Sequence, residues 1–485
     1  MLGKNKSAVS GRFWLPGHME EARDGSVSIE GGTPVIEVVG DLTPAMKQIE
    51  STNGGLGVFV PSSDDEADMV VHGRIGDTPS RISVIHGATK NRHRQSLGEF
   101  STQIIGARFC VIGDHVPSID HRYAAVRLRV DLLEEWATHT GLQTTFNNQE
   151  KWVKVDCSLP SDQSLNVESP HGLLGLTAEN IFSPSTVKGV EITTKTWLEW
   201  NPSEGWTFDR ILSEYVHPLR ALYSILFGTE TFVEELHVKF QDGGAWLPVV
   251  GEGIEQGPSR TGEQIPLVYR QETGLELVSG WLGMANRLSP TPQILAGSIS
   301  QAAGTYLELD TLSLCTAAEG LDRRMRPDAR QLSENDTLTT LSLLEDEQFP
   351  QKAREILRTA MDIYLWAPSF PMRMESLANS IDGVAPEAVG KINKWKRTVA
   401  TVRNESAHSL DAGTVASDYW GKMYTINRSL RWVLTAVLLR ESGCGDDVLR
   451  AGFSRSRKYE IFYRNAQRLV PEVYKNDPPK PAHIR

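Results

Sequence analysis

Lys391-Ile-Asn-Lys-Trp-Lys-Arg-Thr-Val-Ala-Thr-Val-Arg-Asn-Glu-Ser-Ala-His408 is the stretch on which the fold turns. Apolar residues recur at Val389, Ile392, Trp395, Val399 and Val402, the spacing of one face of an α-helix opening at Pro386 and Glu387, and the period stops at the Arg403, Asn404 step. Similar stripes lie on either side. Thr305 with Glu308 makes a capping-box signature ahead of Tyr306, Leu309, Leu312, Cys315 and Leu321. Another starts near Pro350, turns Ala353, Ile356, Leu357, Ala360 and Tyr364 inward and stops before Pro368. The longest runs from Val415 through Tyr419, Met423, Ile426, Leu430, Val433 and Val437 to Gly443, a residue favoured just past a helix C-terminus. Four helices with short joins predict an all-α bundle over residues 296–485.

Upstream the period changes to two. Short apolar stretches (Val35–Val39, Met69–Ile75, Arg81–Ile85, Tyr123–Val130) alternate with Gly, Pro, Ser and Asp, and read as strands. Between Val190 and Trp200, Val190, Ile192, Leu198 and Trp200 share one face while Glu191, Lys195 and Glu199 share the other, which predicts one buried and one wet side. The helices that parallel crossovers need are missing, so residues 1–295 are expected to be mostly antiparallel β, with one helical segment near 207–227. A strand-like piece follows at Phe232–Phe240, and Gly243–Gln264 reads as a long surface loop. The fold class is therefore α+β, a β-rich amino-terminal domain followed by a helical one.

The 485 residues, 40% hydrophobic and 23% charged, are those of an ordinary folded chain of two or more domains. No apolar run is long enough for a membrane span, and Met1–Arg12 lacks a signal-peptide core, so a cytoplasmic protein is expected, with no membrane partner. Cys110, Cys157, Cys315 and Cys444 form no CxxC pair and are expected as thiols. The net charge of -11 is unevenly divided: residues 351–485 hold 22 Lys+Arg against 14 Asp+Glu, and the remainder 28 against 47. A basic helical third attracts polyanions, although a solvated helix surface carries such charges without any function.

GxSxG, GxxxxGK[ST] and HExxH are absent from the sequence. Asp114, His115, Asp120 and His121 lie in a Pro-interrupted loop whose spacing does not converge them on a metal; neither metal nor cofactor is expected. Trp197, Glu199 and Trp200 are the elements of a sugar-stacking platform, or simply of a strand with a buried tryptophan face. Glu134 and Glu135 read as a solvated helix face.

Arg403-Asn404-Glu405-Ser406-Ala407-His408 reads R-N-x-x-x-H, an instance of the R-x(4–6)-H pattern that marks HEPN ribonucleases. The spacing recurs at Arg12/His18, Arg81/His86, Arg108/His115 and Arg210/His217, but only the Arg403 copy lies in the basic helical region, where a helix is expected to end. Five residues along a continuous helix turn about 140° beyond a full turn, so a break between Arg403 and His408 is expected, with Asn404 and Ser406 bonding locally to the freed backbone. Arg403 then supplies a fixed, bidentate cation for phosphate and His408 a proton carrier near neutrality. Asn404 would orient the histidine or the phosphate. One histidine is too few for both acid and base, so a homodimer or higher homo-oligomer through the helical domain is expected. Lys391, Lys394, Lys396 and Arg397 are candidate RNA-backbone contacts.

The chain as a whole resembles the ApeA family of anti-phage proteins, in which a β-rich domain precedes a HEPN domain. Gly11-Arg12-Phe13-Trp14-Leu15-Pro16-Gly17 is similar to that family's opening strand; Ile105, Gly106, Ala107, then Gly113, Asp114, His115 and Leu133–Trp136 resemble its later pattern and imply a structural His115. Leu312–Arg324, with Ala317, Ala318, Glu319, Gly320 and Leu321, resembles the first HEPN helix and implies that Glu319 orients Arg403. The resemblance implies a metal-independent endoribonuclease acting on tRNA or other single-stranded RNA loops to shut down an infected cell; since a toxic nuclease must be restrained, the acidic amino-terminal domain is expected to sense a phage trigger or to occlude the cleft. A catalytically silent RNA- or protein-binding HEPN module and a carbohydrate-active β domain are the alternatives.

Overall fold

The computed structural model describes residues 8–43, 46–49, 58–61, 68–76, 80–94, 101–137, 142–147, 149, 152–157, 163–169, 172–182, 192–241, 243–255, 257–258, 260, 264–300, 306–345, 350–360, 366–408 and 417–475. The chain divides into two units, one of residues 1–220 with 231–262, the other of 221–230 with 263–485. The first is antiparallel β and the second helical, as the two periods require.

Twelve strands build the main sheet of the first unit: β1 (Val9–Trp14), β2 (Arg23–Glu30), β3 (Thr33–Val39), β4 (Met69–Ile75), β5 (Ser80–Arg94), β6 (Ser101–Ile112), β7 (Ala125–Val130), β8 (Gln163–Ser169), β9 (Gly172–Phe182), β10 (Ile192–Pro202), β11 (Val233–Lys239) and β12 (Leu247–Gly251). The order β6-β3-β2-β1-β4-β5 closes on itself because β5 also pairs with β6 along its length, from Ser101 opposite Arg94 to Ile112 opposite Ile82. Closure leaves the ring of six without a free edge. Inward residues at alternate positions, among them Phe13, Val27, Ile36, Val71, Ile82 and Ile105, fill it. β6 is long enough to serve two neighbours on its other side, β3 through Thr102–Gly106 and β12 through Phe109–Val111. From β12 the sheet continues through β11, β7, β10, β9 and β8.

Two expectations change here. The expected loop after Gly243 contains β12, whose Val249 and Val250 pair with Val111 and Cys110. The alternation in β10 holds for Leu198 and Trp200, but Trp197 on the opposite face is equally buried, at 1% exposure. The helix expected near 207–227 is present as Phe208–Ile211, a π turn at Leu212–Val216, and His217–Phe227.

The second unit contains α1 (Glu276–Arg287), α2 (Thr291–Ser300), α3 (Leu307–Met325), α4 (Glu334–Leu344), α5 (Gln351–Ala360), α6 (Phe370–Ser380), α7 (Ile392–His408), α8 (Ser417–Glu441), α9 (Asp446–Arg455), α10 (Arg457–Leu469) and α11 (Pro471–Tyr474). The helical region thus begins well before residue 295. α3, α6, α7 and α8 pack together through Leu314, Cys315, Met374, Leu377, Trp395, Val399, Met423 and Leu430, all buried. α5 is not part of that core: it has no buried residue, and Ile356 is 60% exposed. α6, absent from the sequence reading, takes its place. On α3 the observed N-cap is Tyr306, itself exposed together with Leu309, while Asp310, Thr311 and Leu314 turn inward; Thr305 and Tyr364 lie outside the described residues.

The helix bearing the motif is fixed at its start. A 3-10 turn at Pro386–Ala388 leads to Gly390, whose φ of +59° and close approach to the Val473 carbonyl leave no room for a Cβ. Trp395 Nε1 donates to Ser429 Oγ at 2.7 Å, and that hydroxyl donates to the Ala388 carbonyl at 2.6 Å, so α7, α8 and the turn share one buried chain of hydrogen bonds. Gly443, with φ +92°, follows α8 as expected.

Candidate active site

Arg403 sits at the border between the buried stripe of α7 and its exposed side. Val399 and Val402 are buried; the Arg403 side chain keeps 39% of its surface. Its guanidinium lies over the Phe370 ring, 4.8 Å from the centroid, and Nη2 is 3.7 Å from Glu319 Oε2. The other Glu319 oxygen accepts from Arg323 at 2.6 Å. One carboxylate thus stands between two guanidiniums, and the three groups together keep a net positive charge. At 3.7 Å Arg403 is steered rather than saturated, and its Nε is buried with no hydrogen-bond partner among the described residues. An aromatic face on one side and an anion at the edge fix a fork whose remaining donors have no partner among the described residues and can take an oxyanion. Below them lies Cys315, whose thiol burial pushes up to about 12, Glu319 adding to the rise and Arg403 opposing it. It is a packing residue, not a nucleophile.

The expected break in α7 does not occur. The helix continues through His408, and Ser406 Oγ donates to the Val402 carbonyl at 2.8 Å, the i−4 bond of a hydroxyl inside a helix. In that register His408 stands about 140° around the axis from Arg403 and falls on one line with Asn404 and Arg397, four and eleven residues earlier. Asn404 and Arg397 are exposed. Along the backbone of a single copy, positions 403 and 408 therefore fall on different sides of one helix. Tyr419 of α8 lies near Ser406; burial raises its phenol, an effect that the neighbouring Ser406 hydroxyl opposes.

The four candidate RNA contacts are not equivalent. Lys394 and Arg397 are exposed on α7. Lys396 is 2.7 Å from Glu375 in a half-buried ion pair, and Lys391, just before the helix, is half-buried with its N–H donated to the Val473 carbonyl.

In the first unit, Trp197 lies 4.1 Å beneath the Arg127 guanidinium and 4.7 Å from the His237 ring, and Trp200 is 3% exposed beside Trp206 and Tyr215. Neither indole offers a face to a sugar, which removes the carbohydrate platform. His115 stacks on His72 at 4.6 Å and makes a 3.2 Å hydrogen bond with the Gly73 carbonyl, with Trp14 edge-on to both rings, whereas His121 packs against Tyr123 and Phe240. Burial lowers both His72 and His115, as for rings used neutral in packing. Among the described residues, ligand atoms close enough to share a metal occur only at exposed His18, Glu20 and Glu21.

Two family models match the sequence. The one described as ApeA N-terminal domain 1 covers residues 8–274, more than half of the chain, and the one described as Apea-like HEPN covers 312–448. The chain belongs to the ApeA family. No curated protein and no solved structure matches it. The ApeA architecture of a β-rich amino-terminal part and a HEPN bundle is the one described above, and it marks a nuclease-like defence protein. HEPN domains typically bind RNA and dimerise. Among the described residues no helix is long and apolar enough to cross a membrane.

Within the HEPN match of this ApeA protein, α3, α6 and α7 supply Glu319, Phe370 and Arg403. Phe370 is the residue that sequence reasoning missed. It is 33 positions from Arg403 and follows a proline-punctuated stretch, so no local pattern marks it. The other four R-x-H spacings lie in the first unit, where Arg81, Arg108 and Arg210 are ion-paired with Asp114, Glu252 and Glu214.

Proposed function

We propose that this chain is an endoribonuclease that needs no metal, cuts single-stranded RNA loops, tRNA foremost, and thereby arrests an infected cell, with the amino-terminal unit receiving the phage-derived trigger. The observation that carries the reading is the Arg403 guanidinium, held by Phe370 and Glu319 yet exposed, on the helix that also bears Asn404 and His408.

The chemistry follows from the residue types. The ribose 2′-oxygen attacks phosphorus as its proton passes to a neutral imidazole, and the phosphorus–5′-oxygen bond breaks as an imidazolium protonates the leaving oxygen. The products are a 2′,3′-cyclic phosphate and a 5′-hydroxyl. Arg403 places two donors on the non-bridging oxygens, where charge builds in the transition state. Two imidazoles in opposite protonation states require two copies of the motif. With positions 403 and 408 about 140° apart on α7, the reading pairs the fork of one copy with the imidazole of another at one phosphate, across a two-fold axis. A loop suits this attack because its backbone can bring the 2′-oxygen in line with the leaving group, which a stacked stem prevents.

The unbroken helix also favours a second reading, a HEPN module that binds RNA without cutting it. His408→Ala separates the two. Loss of cleavage by about 10²–10⁴-fold with RNA binding retained supports the nuclease; unchanged cleavage and unchanged growth arrest remove the activity from this site.

A further inference from the structure

α9 from Leu449 onward and all of α10 lie past the residues that either family model matches. α10 buries Tyr459, Phe462 and Ala466 and exposes Arg457, Ile461, Arg464 and Arg468. Positions 457, 461, 464 and 468 stay within about 40° of one line, so three guanidiniums are strung along about 16 Å of one helix face. Arg464 shares its charge with Glu460. Arg457 and Arg468 have no ion-pair or hydrogen-bond partner among the described residues.

A cavity of about 360 Å³ adjoins the amino-terminal end of this stripe, lined by Trp432, Leu267, Ile265, Ile461, Arg457 and Lys458 among others. Ile265 and Ile461, both on its wall, are 51% and 48% exposed. Two cations around it are already committed: Lys458 Nζ donates to the carbonyls of Phe227 and Gly228 at 2.8 and 3.1 Å, and Arg455 to Glu272 at 2.7 Å. Arg457 is left as the unspent charge at an apolar, partly aromatic hollow, within the size range of about 300–1,000 Å³ usual for small-ligand sites.

The stripe has a direction. At one end Tyr459 packs edge-on against Trp432 at 5.2 Å; at the other, Leu469 lies against Gly421 of α8, where an added Cβ would meet it at 3.5 Å. Gly421 is two residues past Tyr419, which lies near Ser406 of α7. Moving along α10 from Arg457 to Arg468 therefore leads from the cavity toward the end of α8 that meets the R-N-x-x-x-H helix.

We propose that this face is a second RNA-holding surface: Arg457, Arg464 and Arg468 take phosphates of a single strand, the cavity takes one unstacked base, and the strand is led toward the Arg403 end of α7. The inference rests on the ribonuclease reading and adds how substrate is chosen. An apolar hollow beside a line of guanidiniums suits a single strand, whose bases are free to leave the stack, and not a duplex, whose bases are paired.

The test uses the full chain carrying His408→Ala, so that binding is read without turnover, and a fluorescein-labelled single-stranded RNA alone or annealed to its complement. Each phosphate contact on a single strand contributes about 0.7 to the slope of log affinity against log salt. Replacing Arg457, Arg464 and Arg468 with Gln is expected to lower that slope by about 2 and to weaken binding about 10²-fold near 0.1 M salt. Ile461→Asn is expected to weaken the single strand several-fold with the slope unchanged and the duplex unaffected. An unchanged slope and affinity in the triple variant would overturn the proposal, and equal losses for single strand and duplex in Ile461→Asn would overturn the base site. If the arginines bind RNA but Arg403→Ala leaves cleavage untouched, the assignment of cleavage to the Arg403 site fails and this surface stands. If Arg403→Ala abolishes cleavage while the triple variant binds normally, this surface fails alone.

Discussion

Two carboxylates three residues apart on α3 are predicted to fail in opposite ways. Asp322 is 1% exposed; its oxygens receive Arg326 at 2.6 Å and Arg373 at 3.0 Å, and Arg373 is itself 4% exposed with its Nε unpartnered among the described residues. Asp322→Ala leaves that guanidinium buried without its anion, which costs about 3–5 kcal/mol, a large part of the roughly 5–15 kcal/mol of a folded domain. Glu319 is 19% exposed, and its partners Arg403 and Arg323 reach solvent at 39% and 61%. Glu319→Ala should therefore cost under about 1 kcal/mol of stability. Its effect should fall on activity: without the anion at its edge Arg403 is held by Phe370 alone, and a loss of about 1.4 kcal/mol of transition-state stabilisation lowers cleavage about tenfold. Urea unfolding followed by far-UV circular dichroism, together with initial cleavage rates under conditions where each variant is folded, measures both. A Glu319→Ala protein as unstable as Asp322→Ala, or one that cleaves at the wild-type rate while Arg403→Ala is dead, would refute the division of roles.

Phe370→Leu keeps an apolar residue at the start of α6 but removes the ring under Arg403; cleavage should fall about three- to tenfold, in kcat rather than KM, and Phe370→Tyr should restore it, since a cation on an aromatic face is worth about 0.5–2 kcal/mol. In the first unit, burial and then the neighbouring Arg127 cation lower His237 from 6.5 to about 4. The unfolded chain takes up this proton first, so its contribution to stability is complete above about pH 6.5 and is lost as pH falls toward about 4, by on the order of 3 kcal/mol. His237→Asn should flatten the acid side of the stability profile, and an unchanged profile in chemical denaturation would remove His237 from it.

The large divisions were legible because each rests on a period. The alternation from Arg81 to Ile85 and from Phe232 to Phe240 became strands, and the stripe Val389, Trp395, Val399, Val402 became the buried face of α7. Local signals misled where tertiary partners override them. Gly243, Pro248 and Gly251 look like loop, yet Val249 and Val250 between them are held by Val111 and Cys110 of β6. Pro368 looks like a stop, but α6 opens at Phe370 with Pro371 in its first turn, where a missing N–H costs nothing. Asn404 and Ser406 look like helix breakers, yet Ser406 bonds back within a continuous helix. The amphipathic pattern of α5 gave no sign that its apolar side would stay uncovered. Of the site, the type and spacing of Arg403, Asn404 and His408 could be read from the chain, whereas the Phe370 plate under Arg403 depends on α6 meeting α7 and has no trace in either segment alone.

The nature of the cut ends decides the account most directly. Purified protein incubated with tRNA in excess EDTA, with the fragments' termini identified by mass spectrometry, should give a 2′,3′-cyclic phosphate and a 5′-hydroxyl at a rate that collapses in both Arg403→Ala and His408→Ala. Fragments ending in a 3′-hydroxyl with a 5′-phosphate, or cleavage that EDTA abolishes, would contradict a guanidinium and an imidazole as the cutting groups.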